Sequence, residues 1–463
     1  MTYRAYNPTT GELVQDVASL NAQQREALLA ATHEQQQSWR RRTVAERAPF
    51  VLALSAALRH HREALAAMLT LEMGKPIAAA RAEIDKCATL CELAPDMAER
   101  ALADEVILDD ATALVRVRHD PLGTVLAIMP WNFPHWQSLR FAVPALLAGN
   151  GVLIKPAASV PGSAMLLNQC LVDARAAVHN IDSAAAPIHV ALIDVDALDA
   201  VIADARIVGV TLTGSDRAGR HVAAVAGAHL KKVVLELGGS DPFIVLPGAD
   251  VMRAATVAVA ARTVNSGQSC IAAKRFIVCD AIYEEFLAHF TAGMSQLIVG
   301  DPRDERTQIG PIATESVRDG LAAQVEASVR MGARVALGGH RSTTAGYFYP
   351  PTVLVDIPDN APAAQQELFG PVASVFRVAD VGTAIAKAND SPFGLGASVW
   401  SQDQVTIHRC IVELDAGMVF VNDMVASDPR FPFGGIKQSG VGRELGPAGF
   451  REFTNGKTVY VRR

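Results

Sequence analysis

The stretch Asn265 to Ala272 reads N-S-G-Q-S-C-I-A and sets one cysteine, Cys270, behind a glycine and two polar residues. Ser266 and Gly267 favour a turn that keeps the backbone close to whatever approaches the sulfur, and Gln268 and Ser269 keep its surroundings polar. That setting suits a nucleophilic thiol; a buried thiol packed as a small hydrophobe is the alternative. A carboxylate of equal interest is Glu236, which interrupts the apolar run V-V-L-E-L just before Gly238 and Gly239. At the carboxyl end of a strand it must be paired, hydrated or raised in pKa, and any of these suits a general base. A buried lysine partner is the structural alternative. In P-W-N-F-P, two prolines fix the backbone on either side of Asn132, which would orient its amide N–H toward a developing oxyanion, unless it caps a turn.

Two weaker signals concern phosphate. The run V-G-V-T-L ends in Thr213-Gly214-Ser215, and Gly219 lies in the helix expected next, so backbone amides could face an anion at a helix start. The spacing is not G-x-G-x-x-G, and an ordinary strand-to-helix turn fits as well. Lys155 ends the run V-L-I-K, where it would either reach a ribose or phosphate or sit solvated at a strand end.

These groups need a scaffold, and the chain has length for two or three domains. Between Thr124 and Pro247 short apolar runs alternate with helical stretches, the rhythm of a parallel sheet covered by helices, with ligands at the carboxyl ends of its strands. A second series starts at Phe243, Arg275, Val372, Ala397 and Gly417. The expected fold is α/β, with two Rossmann-like lobes and a cleft between them. From Ala22 to about Arg100 the pattern is helical, broken at Gly74-Lys75-Pro76. A hairpin turning at Asp109-Asp110 and a terminal strand around Lys457-Val461 should pair elsewhere, a neighbouring subunit being one candidate.

Composition narrows the function. Half the residues are hydrophobic and 19% charged, and a net charge of -6 offers no basic field for nucleic acid or anionic lipid. No apolar run reaches the 18 or so residues needed to span a bilayer, and the start has no charged-then-apolar leader, so no membrane role and a cytoplasmic location are expected. The six cysteines form no paired C-x-x-C sets, and no metal site is expected.

The ordered motifs P-W-N-F-P, L-T-G-S, L-E-L-G-G, G-Q-S-C, E-L-F-G-P-V and P-F-G-G-I-K-Q-S-G resemble the aldehyde dehydrogenase superfamily, over nearly the whole chain. The resemblance implies Cys270 as nucleophile, Glu236 as base, and Asn132 with the Cys270 amide as oxyanion donors. It implies a dinucleotide held by Trp131, Lys155, Gly214, Ser215, Leu237, Glu367 and Phe369. Ala158 stands where many relatives carry a glutamate that repels a 2'-phosphate, so either NAD or NADP is expected. It also implies a lobe of residues 1–103 with 122–236 for the cofactor, a thiol lobe of 237–445, and oligomerisation strands in 104–121 and 446–463. Assembly would be as a homodimer or homotetramer.

L-T-L-E-M-G-K-P-I, A-E-I-D-K-C-A, Q-S-C-I-A-A-K-R-F-I-V and V-N-D-M-V-A-S-D-P-R are similar to the bacterial succinate-semialdehyde dehydrogenase group. That substrate needs a cation and a hydroxyl for its far carboxylate. The resemblance points to Ser427 and to Arg140, which lies eight residues beyond Asn132, with a structural ion pair as the alternative for Arg140. Val264 replaces an arginine some relatives use. Trp136 and Phe431 are candidate tunnel walls. On this basis Arg140→Leu should impair oxidation of the charged aldehyde and spare an uncharged one.

Overall fold

In this computed structural model, which describes residues 2–178, 186–342 and 345–463, the two series of apolar runs form two separate sheets. The first has the order Gly440–Val441, Lys232–Glu236, Ile207–Thr213, Thr124–Ile128, Gly151–Lys155, Ile188–Val190; only Gly440–Val441 runs antiparallel. The second has the order Arg334–Leu337, Thr352–Val355, Val372–Val378, Arg275–Cys279, Pro242–Val245, Gly396–Trp400, Met418–Val421, with only Arg334–Leu337 antiparallel.

Both faces of each sheet are covered, which is why their strands read as continuous apolar runs. In the first sheet Val125, Ala127, Val152 and Ile154 face the helices of residues 44–147. Their neighbours Leu126, Ile128, Leu153 and Leu235 pack into a cluster on the opposite face. The second sheet divides the same way, with Ile244 and Ile277 on one side and Phe243 and Phe276 on the other. Each such side chain contributes about 1.5–3 kcal/mol by leaving water, so the strand ends rest on a rigid base.

The helical region resolves into Ala22–Trp39, Val44–His60, Arg62–Met73 and Ile77–Ala101. The expected break holds, because Gly74 takes a left-handed φ of 73° that ends one helix and Pro76 caps the next. The hairpin forms as Glu105–Asp109 and Ala113–Pro121. Its partner is the chain's own last strand, Thr454–Arg462, in a three-stranded sheet. The short hairpin Thr2–Tyr6 with Leu13–Ala18 was not anticipated from the sequence. Among the described residues no helix is long and apolar enough to cross a membrane.

The chain leaves the first sheet at Glu236 and enters the second at Pro242, so five residues link them. The carboxyl ends of the first sheet therefore meet the amino ends of the second. Asn132 and Gly214 follow strands of the first and Glu236 ends one, whereas Cys270 and Glu367 precede strands of the second, Arg275–Cys279 and Val372–Val378. The rule that ligands gather at carboxyl ends describes only half of this cleft.

Candidate active site

The thiol loop is more contorted than a simple turn. Asn265 and Ser266 take φ of 53° and 55°, and Gly267 follows at 78°, three successive left-handed residues. For the two non-glycines this costs on the order of 1–3 kcal/mol each and persists only where neighbours over-determine it. They do here: Ser266 Oγ accepts from the Gly310 amide at 3.0 Å, and Gln268 Oε1 from the Ala313 amide at 2.9 Å. Buried Arg262 donates to the carbonyls of Gly267 (2.7 Å) and Ala273 (2.8 Å). Buried Lys274 donates to those of Ser269 (2.7 Å) and Cys270 (2.6 Å). A Cβ on Gly267 would lie 2.3 Å from the Gly370 backbone, so this loop and the E-L-F-G-P-V segment touch main chain to main chain.

Asn132 is locked to the same loop. Its Nδ2 donates to the Gln268 carbonyl at 3.1 Å, and its own carbonyl accepts from Asn265 Nδ2 at 2.9 Å and from Lys75 Nζ at 2.9 Å. One amide hydrogen remains for a second acceptor. Lys75 is fully buried and pairs with Glu83, whose Oε1 accepts from the amides of His135 and Trp136, both at 3.0 Å. Glu83 thus caps the helix Pro134–Leu147 that starts beside Asn132. Neither Lys75 nor Glu83 was singled out from the sequence. The available signal was an acid on the apolar stripe Ala80, Ile84, Cys87, which needs a buried partner.

Glu236 is 1% exposed, and among the described residues neither carboxylate oxygen has a hydrogen-bond partner and no lysine pairs with it. Burial raises its pKa well above the usual carboxylate range, opposed chiefly by Arg140. A Cβ on Gly434 would stand 2.7 Å from Glu236 Oε1, so the P-F-G-G segment approaches the carboxyl as only glycine allows. Arg140 is itself buried and ion-paired through Nε with Glu444, while its Nη2 lies 3.4 Å from Thr213 Oγ1. Burial also raises Glu444, again opposed by Arg140. One guanidinium thus faces two buried carboxyls. Glu444 holds the direct bond, and Glu236 faces the same guanidinium without one among the described residues. Burial pushes the Cys270 thiol up to about 12, opposed by Arg140 and then Lys274.

Two cavities meet at Cys270. The first, about 270 Å³, is lined by Trp131, Asn132, Gly214, Ser215, Leu237, Glu367 and Phe369 along with the thiol. The second, about 170 Å³, is lined by Lys86, Trp136, Arg140, Val264, Ser427 and again Cys270. Eight of the residues implied by resemblance, Cys270 among them, thus border one chamber, and Arg140 and Ser427 border the other. In the first, Trp131 and Phe369 stand edge to face with centroids 5.7 Å apart, and Ser215 caps the helix Asp216–Ala228. Glu367 is paired with Lys274 at 3.2 Å. Lys155 and Ala158 do not border this chamber. Lys155 is buried rather than solvated, its pKa lowered by burial, and Ala158 is exposed. In the second, Trp136 Nε1 donates to Ser427 Oγ at 3.1 Å. Phe431, half exposed, lies outside it. Among the described residues no group of His, Cys, Asp and Glu could hold a metal ion.

Residues 1–459 match the model of the aldehyde dehydrogenase family. The chain belongs to the aldehyde dehydrogenase family. A probable succinate-semialdehyde dehydrogenase [NADP(+)] of Synechocystis is 46% identical, with all of both chains covered. Succinate-semialdehyde dehydrogenase [NADP(+)] 1 of Mycobacterium tuberculosis is 45% identical, again over all of both chains. A structure of succinic semialdehyde dehydrogenase from Streptococcus pyogenes with NADP+ has a TM-score of 0.94 at 33% identity, with both chains fully covered. The fold expected from the sequence is therefore that of this aldehyde dehydrogenase family.

Proposed function

We propose that the protein oxidises succinate semialdehyde to succinate with NADP, through a thioester on Cys270. The observation that carries this reading is the position of that thiol at the junction of two chambers. One offers a helix start, two aromatic rings and a carboxylate, which suit a dinucleotide's pyrophosphate, nicotinamide and ribose. The other offers cations and a hydroxyl, which suit a carboxylate. The relatives from Synechocystis and Mycobacterium tuberculosis, named for succinate semialdehyde and NADP(+), support the same substrate and cofactor.

The cofactor chamber fits on its donors: Gly214 and Ser215 stand at a helix start for phosphate, Glu367 for ribose hydroxyls, and Trp131, Leu237 and Phe369 for the ring. Lys155 would offer a 2'-phosphate a cation, although Asp194 already acts on it, and Ala158 stands where it adds no acid of its own. NADP held by these residues would supply the hydride acceptor. Cys270 loses its proton toward Glu236, directly or through water, and its sulfur attacks the aldehyde carbon. The Asn132 amide and the Cys270 backbone N–H hold the oxyanion. Once hydride has left, a thioester remains; Glu236, after passing the thiol's proton on to solvent, takes a proton from water, which attacks the acyl carbon and releases succinate and the thiolate.

We also place residues 1–103 with 122–236 in a cofactor lobe and 237–445 in a thiol lobe. The strands within 104–121 and 446–463 serve as the surface through which copies assemble as a homodimer or homotetramer in the cytoplasm. Exposed Val106, Ile107, Tyr460 and Val461 on that sheet support the assembly reading. The test of function is a matrix of initial rates for succinate semialdehyde, glutarate semialdehyde and butanal, each with NAD and NADP. The expected maximum in kcat/KM is succinate semialdehyde with NADP. A maximum with butanal, or full activity in Cys270→Ser, would refute the proposal.

A further inference from the structure

The substrate chamber contains two cations, and they differ in what they already hold. Arg140 is committed: it pairs with Glu444, lies near Thr213, and stacks 4.4 Å from the Phe433 ring. Lys86, on the helix Ile77–Ala101, makes no hydrogen bond or ion pair among the described residues. Its Nζ rests 4.1 Å from the ring of Trp136. The acids around it are engaged elsewhere. Glu83, one turn earlier, serves Lys75 and two backbone amides, and Asp428 accepts from Arg430 Nε and Nη2 at 2.8 and 2.7 Å.

A lysine ordinarily extends its ammonium to water, so one held over an indole inside a chamber is short of solvation. Burial lowers the Lys86 pKa to about 8, with Arg140 adding repulsion against weaker support from Cys87, Asp428 and Glu83. An arriving anion would relieve both effects. The same indole carries the second donor: its Nε1 donates to Ser427 Oγ at 3.1 Å, which leaves the Ser427 hydroxyl hydrogen free to point into the chamber. Cation on the ring face and hydroxyl at the ring edge therefore flank one site, and Cys270 borders the same chamber. Val264, Ile271 and Val425 complete an apolar wall suited to a short methylene chain.

We infer that Lys86 is the residue that pairs directly with the carboxylate at the far end of the aldehyde, with Ser427 donating the second hydrogen bond and Arg140 acting only through its charge. Lys86 is then the specificity determinant for an ω-carboxylated aldehyde. This rests on the substrate reading above.

The test uses the full-length enzyme with NADP and compares succinate semialdehyde with butanal, which has the same carbon count without the carboxylate. Lys86→Met should raise KM for succinate semialdehyde far more than it lowers kcat. The ratio of kcat/KM for the two aldehydes should fall roughly 30-fold, the size of one lost charge-assisted hydrogen bond. Lys86→Arg should recover most of that ratio, and the inhibition constant of succinate should rise in parallel in Lys86→Met. Lys86→Gln takes the place of Met if that variant does not fold. A wild-type preference that survives in Lys86→Met within about three-fold overturns the role of Lys86 alone. A wild type with no preference for the charged aldehyde overturns the substrate reading as well.

Discussion

Arg140→Leu separates the two roles open to that arginine. In the structure its guanidinium is the buried partner of Glu444 and the largest influence favouring ionisation of both Glu236 and Cys270. Removing one member of a buried pair strands the other, at about 3–5 kcal/mol of stability. It also removes a cation beside the thiol, so the thiolate becomes less favourable and its pKa rises. Each unit of that rise corresponds to about 1.4 kcal/mol, or ten-fold less thiolate at a given pH below it. The expected outcome is a loss of at least about ten-fold in kcat/KM for both succinate semialdehyde and butanal, with the rising limb of the pH profile displaced to higher pH. Arg140→Leu with Glu444→Leu should recover stability, because no charge is left stranded, yet not activity. The assay is initial rates from pH 6 to 10 for both aldehydes, alongside thermal unfolding. If butanal oxidation keeps its rate and pH profile while KM for succinate semialdehyde rises, Arg140 grips the carboxylate itself and the reasoning here fails.

Asn132→Ala should lower kcat by roughly 10²–10³, about 3 kcal/mol, for charged and uncharged aldehydes alike; a kcat within a factor of three of wild type would remove it from the oxyanion site. Ala158→Glu sets an acid three residues past Lys155 on an exposed position, and should shift the ratio of kcat/KM for NADP over NAD at least about ten-fold toward NAD. An unchanged ratio would show that the 2'-phosphate does not pass there.

Much of this arrangement was readable from the chain. Runs such as V-L-A-I and R-F-I-V declare buried strands because both faces of each sheet are covered, and Glu236 stands out against such a run. The polarity around Cys270 likewise pointed to a loop shaped for reaction. What could not be read was pairing over long separations. Arg140 and Glu444 are 304 positions apart, and no local pattern announces that they meet. Lys155 was open to reading as solvated because burial at a strand end depends on what the rest of the chain lays over it. Lys86 is silent for a similar reason: a lysine on a helix ordinarily faces water, and only the tertiary placement of Trp136 encloses it. The Thr2–Tyr6 strand is short and pairs only with Leu13–Ala18, the other arm of its own hairpin, so its five residues carry little pattern of their own.

The chain crosses between the two sheets twice, through the five residues after Glu236 and again between Met418–Val421 and Gly440–Val441. Both crossings run past the same carboxylate, because Gly440 pairs with Glu236 and Gly434 lies against its Oε1. The residue offered as general base is therefore held by the two seams that join the halves, and a change in either seam reaches it first.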